Sequence, residues 1–292
     1  MKIIASSETR GVYSLDLDKQ GKIENLKHLA ELNEAKYFSI YNDIIYSIFK
    51  GERSGYAMID INTGDTKEYE FEDETSSHIL VNDGIVYMCN YDLGYFSIIE
   101  NGNVKKIQLG EDSKPSQAYA YNERLYVSVT GLDTIFVYDI KNDHKQIDKI
   151  ELRPLTGPAH IAINEEYIYI LCEENNWIYT YKISEGGYKE IDGFGIDLEN
   201  ESSPSSIKYF DGSLFVLIHG EDLLLQFDLV NSVPNTCHVS LSYGKESQDI
   251  EIANKNILIA NKKSNKLTVI DLELSKVMDV DIENICCIKA YK

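Results

Sequence analysis

The 292-residue sequence is poor in several features, and each shortage excludes a class of protein. It has no run of 18 apolar residues, so we expect no transmembrane helix. Its N-terminal apolar run is also too short for a secretory signal. Lysine and arginine number 28 against 48 acidic residues, a net charge of −20. Because an acidic surface repels nucleic acid and anionic membranes, we predict neither as a partner.

Cysteine is also scarce. The five cysteines, an odd number, include no Cys-x-x-Cys pair of the kind that binds metals. All but Cys237 fall in predicted strands, and we interpret them as reduced core thiols of a cytoplasmic protein. We predict no metal ion and no other cofactor.

Common catalytic motifs are absent. The sequence has no Gly-rich phosphate loop, no His-Glu-x-x-His and no Gly-x-Ser-x-Gly. Helical periodicity is nearly absent as well, since only residues 25–33 carry helix formers, and there a strand fits the surrounding pattern better. Any chemistry must therefore come from side chains that are distant in sequence.

What the sequence does contain is a repeat, which is clearest in residues 157–186. An apolar run at 161–163 is followed by β-rich runs at 167–171 and 178–183, with polar corners between them. Such runs, separated by two to five turn residues, are typical of consecutive antiparallel strands. Equivalent first strands begin about every 40 residues, near Ala35, Ser76, Pro115, Gly157, Ser203, Ser247 and Ile285.

A second marker has the same period. The third strand of the repeat often ends on an aspartate between apolar residues, at Asp16, Asp60, Asp139, Asp228 and Asp271. Four strands in about 40 to 50 residues are typical of a β-propeller. We therefore predict an all-β, seven-bladed β-propeller with four antiparallel strands per blade, in a single domain over residues 1–292.

The two ends of the chain predict how the propeller closes. The N-terminal unit offers only three strands, at 2–6, 11–17 and 23–29, whereas residues 285–291 form a leading strand with no unit behind it. We expect the C-terminal strand to complete the N-terminal blade, which removes the open sheet edges of an unclosed array.

Polar residues recur at equivalent places in the blades. First strands line the channel of a propeller, and aligning them on His160 gives a first ring of Tyr37, His78, Gln117, His160, Ser206, Asp249 and Cys287. The ends of the second strands give a second ring of Lys50, Tyr91, Thr130, Glu173, His219 and Lys262. Polar groups around one channel mouth are what a small-molecule site requires.

Short motifs in several blades carry a family resemblance. The N-terminal motif is Ser7 with residues 11–13 and 17–18, and the motif of blade three is Asn90 with Tyr91. Blade four has residues 132–138, and blade five has residues 157–160 with Tyr169, Glu173 and Tyr181. Blade seven has residues 259–261 with residues 264–265. Together they resemble the lactonase family of seven-bladed propellers, which includes 6-phosphogluconolactonases and carboxymuconate cycloisomerases. The resemblance implies a hydrolase of a sugar-derived lactone, of the 6-phosphogluconolactone type, acting in carbohydrate metabolism.

Lactone hydrolysis requires a base to activate water and a donor or cation to stabilise the charge on the carbonyl oxygen. Glu173 and His160 are the candidate catalytic residues. Candidate substrate-binding residues are His78, Gln117, His219, Asn261, Lys262 and Tyr91.

The family's set of residues is incomplete here. The resemblance implies a His-x-His in blade four, an arginine before the blade-five histidine and an arginine in blade six. This sequence has Pro-Ser-Gln at 115–117, Ala159 and His219 at those places. Losing one oxyanion donor slows an enzyme about 10²- to 10³-fold, and losing arginines weakens a phosphate site. The alternative is a catalytically silent propeller that binds a small molecule or a protein partner through the same channel mouth.

Overall fold

The computed structural model describes residues 1–71, 76–199 and 201–291. Within them, twenty-eight β-strands form seven antiparallel four-stranded sheets, and helix is limited to two short 3-10 turns, Tyr91–Leu93 and Thr130–Leu132. The prediction of an all-β, seven-bladed β-propeller is confirmed. The contacts divide the chain into two compact units. The first contains residues 1–75, 217–224 and 239–292, and the second contains residues 76–216 and 225–238.

The strands of the first half of the chain are β1 (Lys2–Ser7), β2 (Gly11–Leu17), β3 (Ile23–Ala30), β4 (Phe38–Tyr41), β5 (Ile44–Phe49), β6 (Gly55–Asp60), β7 (Thr66–Glu70), β8 (His78–Asn82), β9 (Ile85–Asn90), β10 (Tyr95–Glu100), β11 (Asn103–Gln108), β12 (Pro115–Tyr121), β13 (Arg124–Val129) and β14 (Thr134–Asp139). Those of the second half are β15 (Lys145–Glu151), β16 (Pro158–Ile163), β17 (Tyr167–Cys172), β18 (Trp177–Ser184), β19 (Gly187–Gly195), β20 (Ser203–Phe210), β21 (Ser213–His219), β22 (Leu223–Val230), β23 (Val233–Leu241), β24 (Ser247–Ala253), β25 (Asn256–Asn261), β26 (Lys266–Asp271), β27 (Lys276–Asp281) and β28 (Ile285–Tyr291).

Sheets two to seven each take four consecutive strands, beginning with β4, β8, β12, β16, β20 and β24. Sheet one differs, because its order is β28, β1, β2, β3. The C-terminal strand therefore completes the N-terminal blade, as predicted, and gives β1 a partner on an edge that would otherwise lack hydrogen bonds.

Apolar side chains pack between neighbouring sheets of each unit. In the first unit, Ile288 of sheet one packs in one cluster with Leu258 of sheet seven. In the second, Val137 of sheet four packs with Ile170 of sheet five. All four side chains are fully buried, and burying such a side chain stabilises a fold by about 1.5–3 kcal/mol.

The repeated aspartate has a structural cause. Oδ1 of Asp60 accepts hydrogen bonds from the backbone N–H groups two and three residues further on, at 2.8 and 2.9 Å. Asp139 does the same at 3.0 and 3.2 Å. These side chains form the turn that leads into the outer strand. In sheet one the turn is made by Asp18, and the predicted Asp16 instead accepts a hydrogen bond from Asn25.

The cysteines require one correction. All five are unpaired thiols, and four are buried, but Cys237 lies within β23 and is exposed. The outer strand of a blade has fewer neighbours than the inner three, so a strand position there does not imply burial. The same described residues contain no helix with the length and apolar character needed to cross a membrane.

Ile288→Ala tests the role of the C-terminal strand. We expect it to lower the free energy of unfolding by about 2–5 kcal/mol, because a fully buried side chain is removed. Val277→Ala on β27 removes a 40%-exposed side chain and should change that free energy by about 0.5 kcal/mol or less. Urea unfolding followed by circular dichroism measures both. A cost below about 1 kcal/mol for Ile288→Ala would show that β28 adds little to the fold.

Candidate functional site

The register of the sheets places several first-ring residues at one equivalent position. Three first strands have a register irregularity near their start, namely β12, β16 and β24. After it, each strand places one ring residue opposite the next-to-last residue of the following strand, and these ring residues are Gln117, His160 and Asp249. His78 pairs with the corresponding residue of β9. Because all four residues pair with the same position of the following strand, they share one place in their blades.

These polar side chains bond to the next sheet. In each case the donor is a backbone N–H of the next sheet, in the residue that follows the ring position there. The acceptors are His78 Nδ1, Gln117 Oε1 and Asp249 Oδ2, at 3.4, 2.8 and 3.0 Å. A buried N–H without a partner costs about 1–3 kcal/mol. His78 and Gln117 therefore contribute to blade packing whether or not they contact a ligand.

The ends of the second strands share another geometry. In three sheets, the residue after the second strand donates its backbone N–H to the carbonyl oxygen of the residue just before the first strand. The donors are Thr130, Glu173 and Lys262, at 3.1, 2.9 and 3.1 Å. Glu8 does the same in sheet one at 3.0 Å. Glu8 is therefore the seventh member of the second ring, which the sequence alignment missed although Glu8 follows β1 as Glu173 follows β17.

Glu173 is half-buried at this position. Burial raises the pKa of its carboxyl group, and the negative charge of Glu174 raises it further, while the Lys114 ammonium opposes both. Burial and the charges of Glu173 and Glu174 also raise the pKa of Tyr91. Lys114 Nζ lies 5.9 Å from the centre of the Tyr91 ring. The second unit thus brings together a carboxylate, an ammonium group and a protonated phenol.

His160 belongs to the same blade as Glu173. Pro158 pairs with Cys172 and His160 with Leu171, so His160 and Glu173 lie at the same end of sheet five. The His160 side chain is half-buried. Among the described residues, no three His, Cys, Asp or Glu side chains are grouped so that they could hold a metal ion.

Asp133 holds the loop that leads into β16. It has a left-handed backbone conformation, with φ 50°, and its carboxylate accepts the three backbone N–H groups of residues 155–157 at 2.9, 2.8 and 2.9 Å. Two carbonyl oxygens of this loop in turn accept the N–H groups of Glu173 and Glu174, at 2.9 and 3.3 Å. Asp133 therefore fixes the backbone that carries Glu173.

Lys262 lies in the first unit and already has an anionic partner. Its Nζ is 2.6 Å from the carboxylate of Glu8, which Lys36 also contacts at 2.9 Å. Burial raises the pKa of Glu8, but hydrogen bonds from Lys262 and Lys36 outweigh this and hold the pKa below its usual value. Lys262 is therefore held in place by Glu8, which shares its one negative charge between Lys262 and Lys36.

Asn261 and His219 also belong to the first unit. Asn261 is fully buried, and its side-chain amide bonds to Ser247, Ser242 and Thr268 at 2.7, 3.1 and 2.9 Å. These bonds use its oxygen and its amide hydrogens, so we leave Asn261 out of the site that we propose. His219 ends β21 and is half-buried, and we assign it no role.

Sequence reasoning missed Lys114, Glu174 and Asp133. Lys114 directly precedes the Pro-Ser-Gln of blade four, at the place that Gly157 takes in blade five, so extending the alignment by one position would have found it. Glu174 follows Glu173 in a polar corner. Asp133 lies within the motif at 132–138, but nothing there marks it as the residue that holds the loop, because aspartate is common in turns.

The family comparison agrees with the fold. The chain matches the model of the lactonase, 7-bladed β-propeller family over residues 2–280. It belongs to that family, as the sequence resemblance indicated. No curated protein sequence matches the chain.

Several solved structures have the same fold at low sequence identity. A protein from Lactobacillus plantarum has a TM-score of 0.88 and 17% identity, covering 99% of this chain and 98% of its own. A periplasmic gluconolactonase of Pseudomonas aeruginosa has a TM-score of 0.82 and 14% identity, with coverages of 99% and 98%. A Bacteroides fragilis protein, provisionally assigned as a 6-phosphogluconolactonase, has a TM-score of 0.81 and 15% identity, with coverages of 99% and 97%.

Asp133→Asn tests the loop anchor. The amide keeps one acceptor oxygen but places N–H donors against a backbone N–H, so we expect a loss of about 1–3 kcal/mol in the free energy of unfolding. Burial raises the pKa of Asp133, but the three backbone N–H groups outweigh it and lower the pKa. The advantage of the wild type is therefore complete above the ordinary carboxyl pKa, and it disappears as the pH falls through the lowered value.

Asp143→Asn is the matched control, because the Asp143 carboxylate is exposed and forms an ion pair with Lys105 at 3.0 Å. It should change the free energy of unfolding by about 0.5 kcal/mol or less. Urea unfolding at several pH values measures both variants. An equal effect of the two substitutions, or a loss for Asp133→Asn that does not depend on pH, would contradict the anchoring role.

Proposed function

We propose that this protein hydrolyses a sugar-derived lactone with Glu173 as the general base. Membership of the lactonase family supports hydrolysis of a cyclic ester, and the gluconolactonase among the similar structures supports a sugar lactone as the substrate. The observation that carries the proposal is the half-buried Glu173 carboxyl group, whose pKa is raised and which interacts electrostatically with Lys114 and Tyr91. Carboxyl groups with raised pKa values are typical of catalytic sites.

The chemistry follows from these three groups. Glu173 takes a proton from a water molecule, whose oxygen attacks the carbonyl carbon of the lactone. The Lys114 ammonium and the Tyr91 hydroxyl stabilise the oxyanion that forms. The ring C–O bond then breaks, and protonated Glu173 returns the proton to the departing oxygen, which leaves an open-chain hydroxy acid. His160 lies at the same end of the blade and is a second candidate for contact with the substrate.

The available cations favour a substrate without phosphate. Lys114 offers a single ammonium group, which binds phosphate less specifically than the fork of an arginine, and Lys262 is held by Glu8. We therefore propose an unphosphorylated aldonolactone ahead of its 6-phosphate. The proposal places the reaction in carbohydrate metabolism and, because the cysteines are unpaired, in the cytoplasm. The similar Pseudomonas enzyme is described as periplasmic, so the fold itself does not decide the compartment.

A second function has an observation in its favour. Gln117 and His78 accept backbone hydrogen bonds between blades, and Lys262 is paired with Glu8. With these groups committed to structure, the site has fewer side chains for catalysis than the family pattern implies. The second candidate is therefore a silent propeller that binds a small molecule or a protein partner without turnover.

Glu173→Gln separates these two functions. We expect it to lower kcat/KM for δ-gluconolactone by about 10²-fold or more, because the base is lost while the shape of the side chain is kept. Acid release in a pH-stat measures the rate. Glu185→Gln, at an exposed position in the turn between β18 and β19, removes the same charge and should leave the rate unchanged.

Two outcomes of that assay contradict the proposal in different ways. If the wild-type protein opens neither δ-gluconolactone nor 6-phosphogluconolactone faster than water does, the hydrolase is excluded for these substrates and the silent propeller is favoured. If wild type and Glu173→Gln are equally active, the protein is an enzyme but its base is another group.

Glu174→Gln and Lys114→Met should move the pH profile in opposite directions. The base acts in its ionised form, so kcat/KM falls as the pH drops through the pKa of Glu173. Removing the Glu174 charge lowers that pKa and moves the acidic limb to lower pH. Removing the Lys114 charge raises the pKa and moves the limb to higher pH. A ¹³C titration of the Glu173 carboxyl group gives the same shifts without turnover, and shifts of one sign in both variants would contradict the arrangement.

A further inference from the structure

A second concave site lies at the other end of sheet five, away from Glu173. A cavity of about 610 Å³ is formed by Tyr121 at the end of β12, the turn at residues 163–167, Tyr209 of β20 and Ser232 in the turn after β22. Its volume lies within the range of pockets that hold small molecules. All of these residues belong to the second unit.

The cavity is well separated from Glu173. Glu173 bonds to Gly157 just before β16, whereas the cavity lies at Asn164 just after that strand. A strand rises about 3.3 Å per residue, so the six residues of β16 hold the two places about 20 Å apart. A ligand here would not be the substrate of the proposed hydrolase.

The aromatic wall of the cavity is supported from behind. The Tyr209 ring lies nearly parallel to that of Tyr169, with centroids 6.0 Å apart and an interplanar angle of 11°. Tyr169 is fully buried, and its hydroxyl accepts a hydrogen bond of 3.2 Å from the side-chain amide of Asn164. Ordered rings lose little conformational entropy when a ligand binds.

The charged side chains that line the cavity are both acidic. Glu165 and Glu166 line it and are exposed, and the described lining residues include no lysine or arginine. The faces of tyrosine rings attract cations. One lining ring already has such a contact, because Lys182 Nζ lies 5.8 Å from the centre of the Tyr167 ring. Tyr121 and Tyr209 are the rings that remain for a ligand.

We propose that this cavity binds a small organic cation of the alkylammonium or quaternary ammonium class. The Tyr121 and Tyr209 rings would contact its alkyl groups, and the carboxylates of Glu165 and Glu166 would face its positive charge. A neutral sugar also stacks on aromatic rings, but the two lining carboxylates outnumber the single Lys182 ammonium, which already contacts the Tyr167 ring, and this excess of negative charge favours a cation. The net charge of −20 adds to this attraction at low ionic strength.

Choline and its uncharged isostere 3,3-dimethylbutan-1-ol provide the direct test. The two have nearly the same shape, so any difference in affinity measures the contribution of the charge. We expect choline to shift the amide resonances of residues 163–167 and Tyr209 in ¹H–¹⁵N spectra, with a dissociation constant of about 1 mM. The isostere should bind about 10-fold more weakly or not at all. Glucose is the probe for the sugar alternative.

Two sets of variants locate the site. Tyr209→Leu should weaken choline binding about 5-fold or more through loss of the ring. The exposed pair Glu165→Gln and Glu166→Gln should weaken it about 3- to 10-fold without affecting folding. Glu185→Gln removes a nearby exposed charge outside the cavity and should have no effect. All variants should keep the wild-type lactonase rate.

Several outcomes would overturn the proposal. They are equal binding of choline and its isostere, preferential binding of glucose, shifts that fall outside the cavity, or no shift with choline up to about 20 mM. None of these results bears on Glu173, so failure here and failure of the proposed hydrolase remain distinguishable.

Discussion

The hydrogen bond from a backbone N–H of one sheet to a polar side chain of the preceding sheet is the interaction on which the rest of the structure depends. His78, Gln117 and Asp249 each accept one. The donors lie inside the packed inner strands, where an unsatisfied N–H is costly. The polarity of these three residues is therefore already explained by folding. The groups left for chemistry lie just beyond the strand ends, as Glu173 and Lys114 do.

The sequence was sufficient for the fold because its signals are periodic and local. Four β-rich runs per repeat and the aspartate turns predict the sheets, and the unaccompanied strand at 285–291 predicts how sheet one is completed. The errors lie where the period does not determine the environment. Cys237 was predicted outside the strands and in the core, whereas it lies in β23 and is exposed, because an outer strand has few neighbours.

The site was only partly predictable, for a different physical reason. Glu173 stood out as a polar residue after an apolar strand, and burial raises the pKa of its carboxyl group. Its neighbours Lys114 and Asp133 lie in loops with positive φ, 53° and 50°, where no hydrophobic period guides the alignment. Asn261 matched the pattern of polar residues at strand ends, yet its amide is used entirely within the fold. A side chain's type is visible in a sequence, whereas its hydrogen-bond partners are not.

The order of strands in sheet one also has a consequence for biosynthesis. Ile3 of β1 pairs with Ala290 of β28, so the inner edge of β1 emerges from the ribosome long before its partner exists. Contacts this distant in sequence form late and slow the folding of a chain. During that interval, β1 presents an uncovered row of N–H and C=O groups to any neighbouring nascent chain. The newly made chain should therefore depend on chaperones until β28 has been translated.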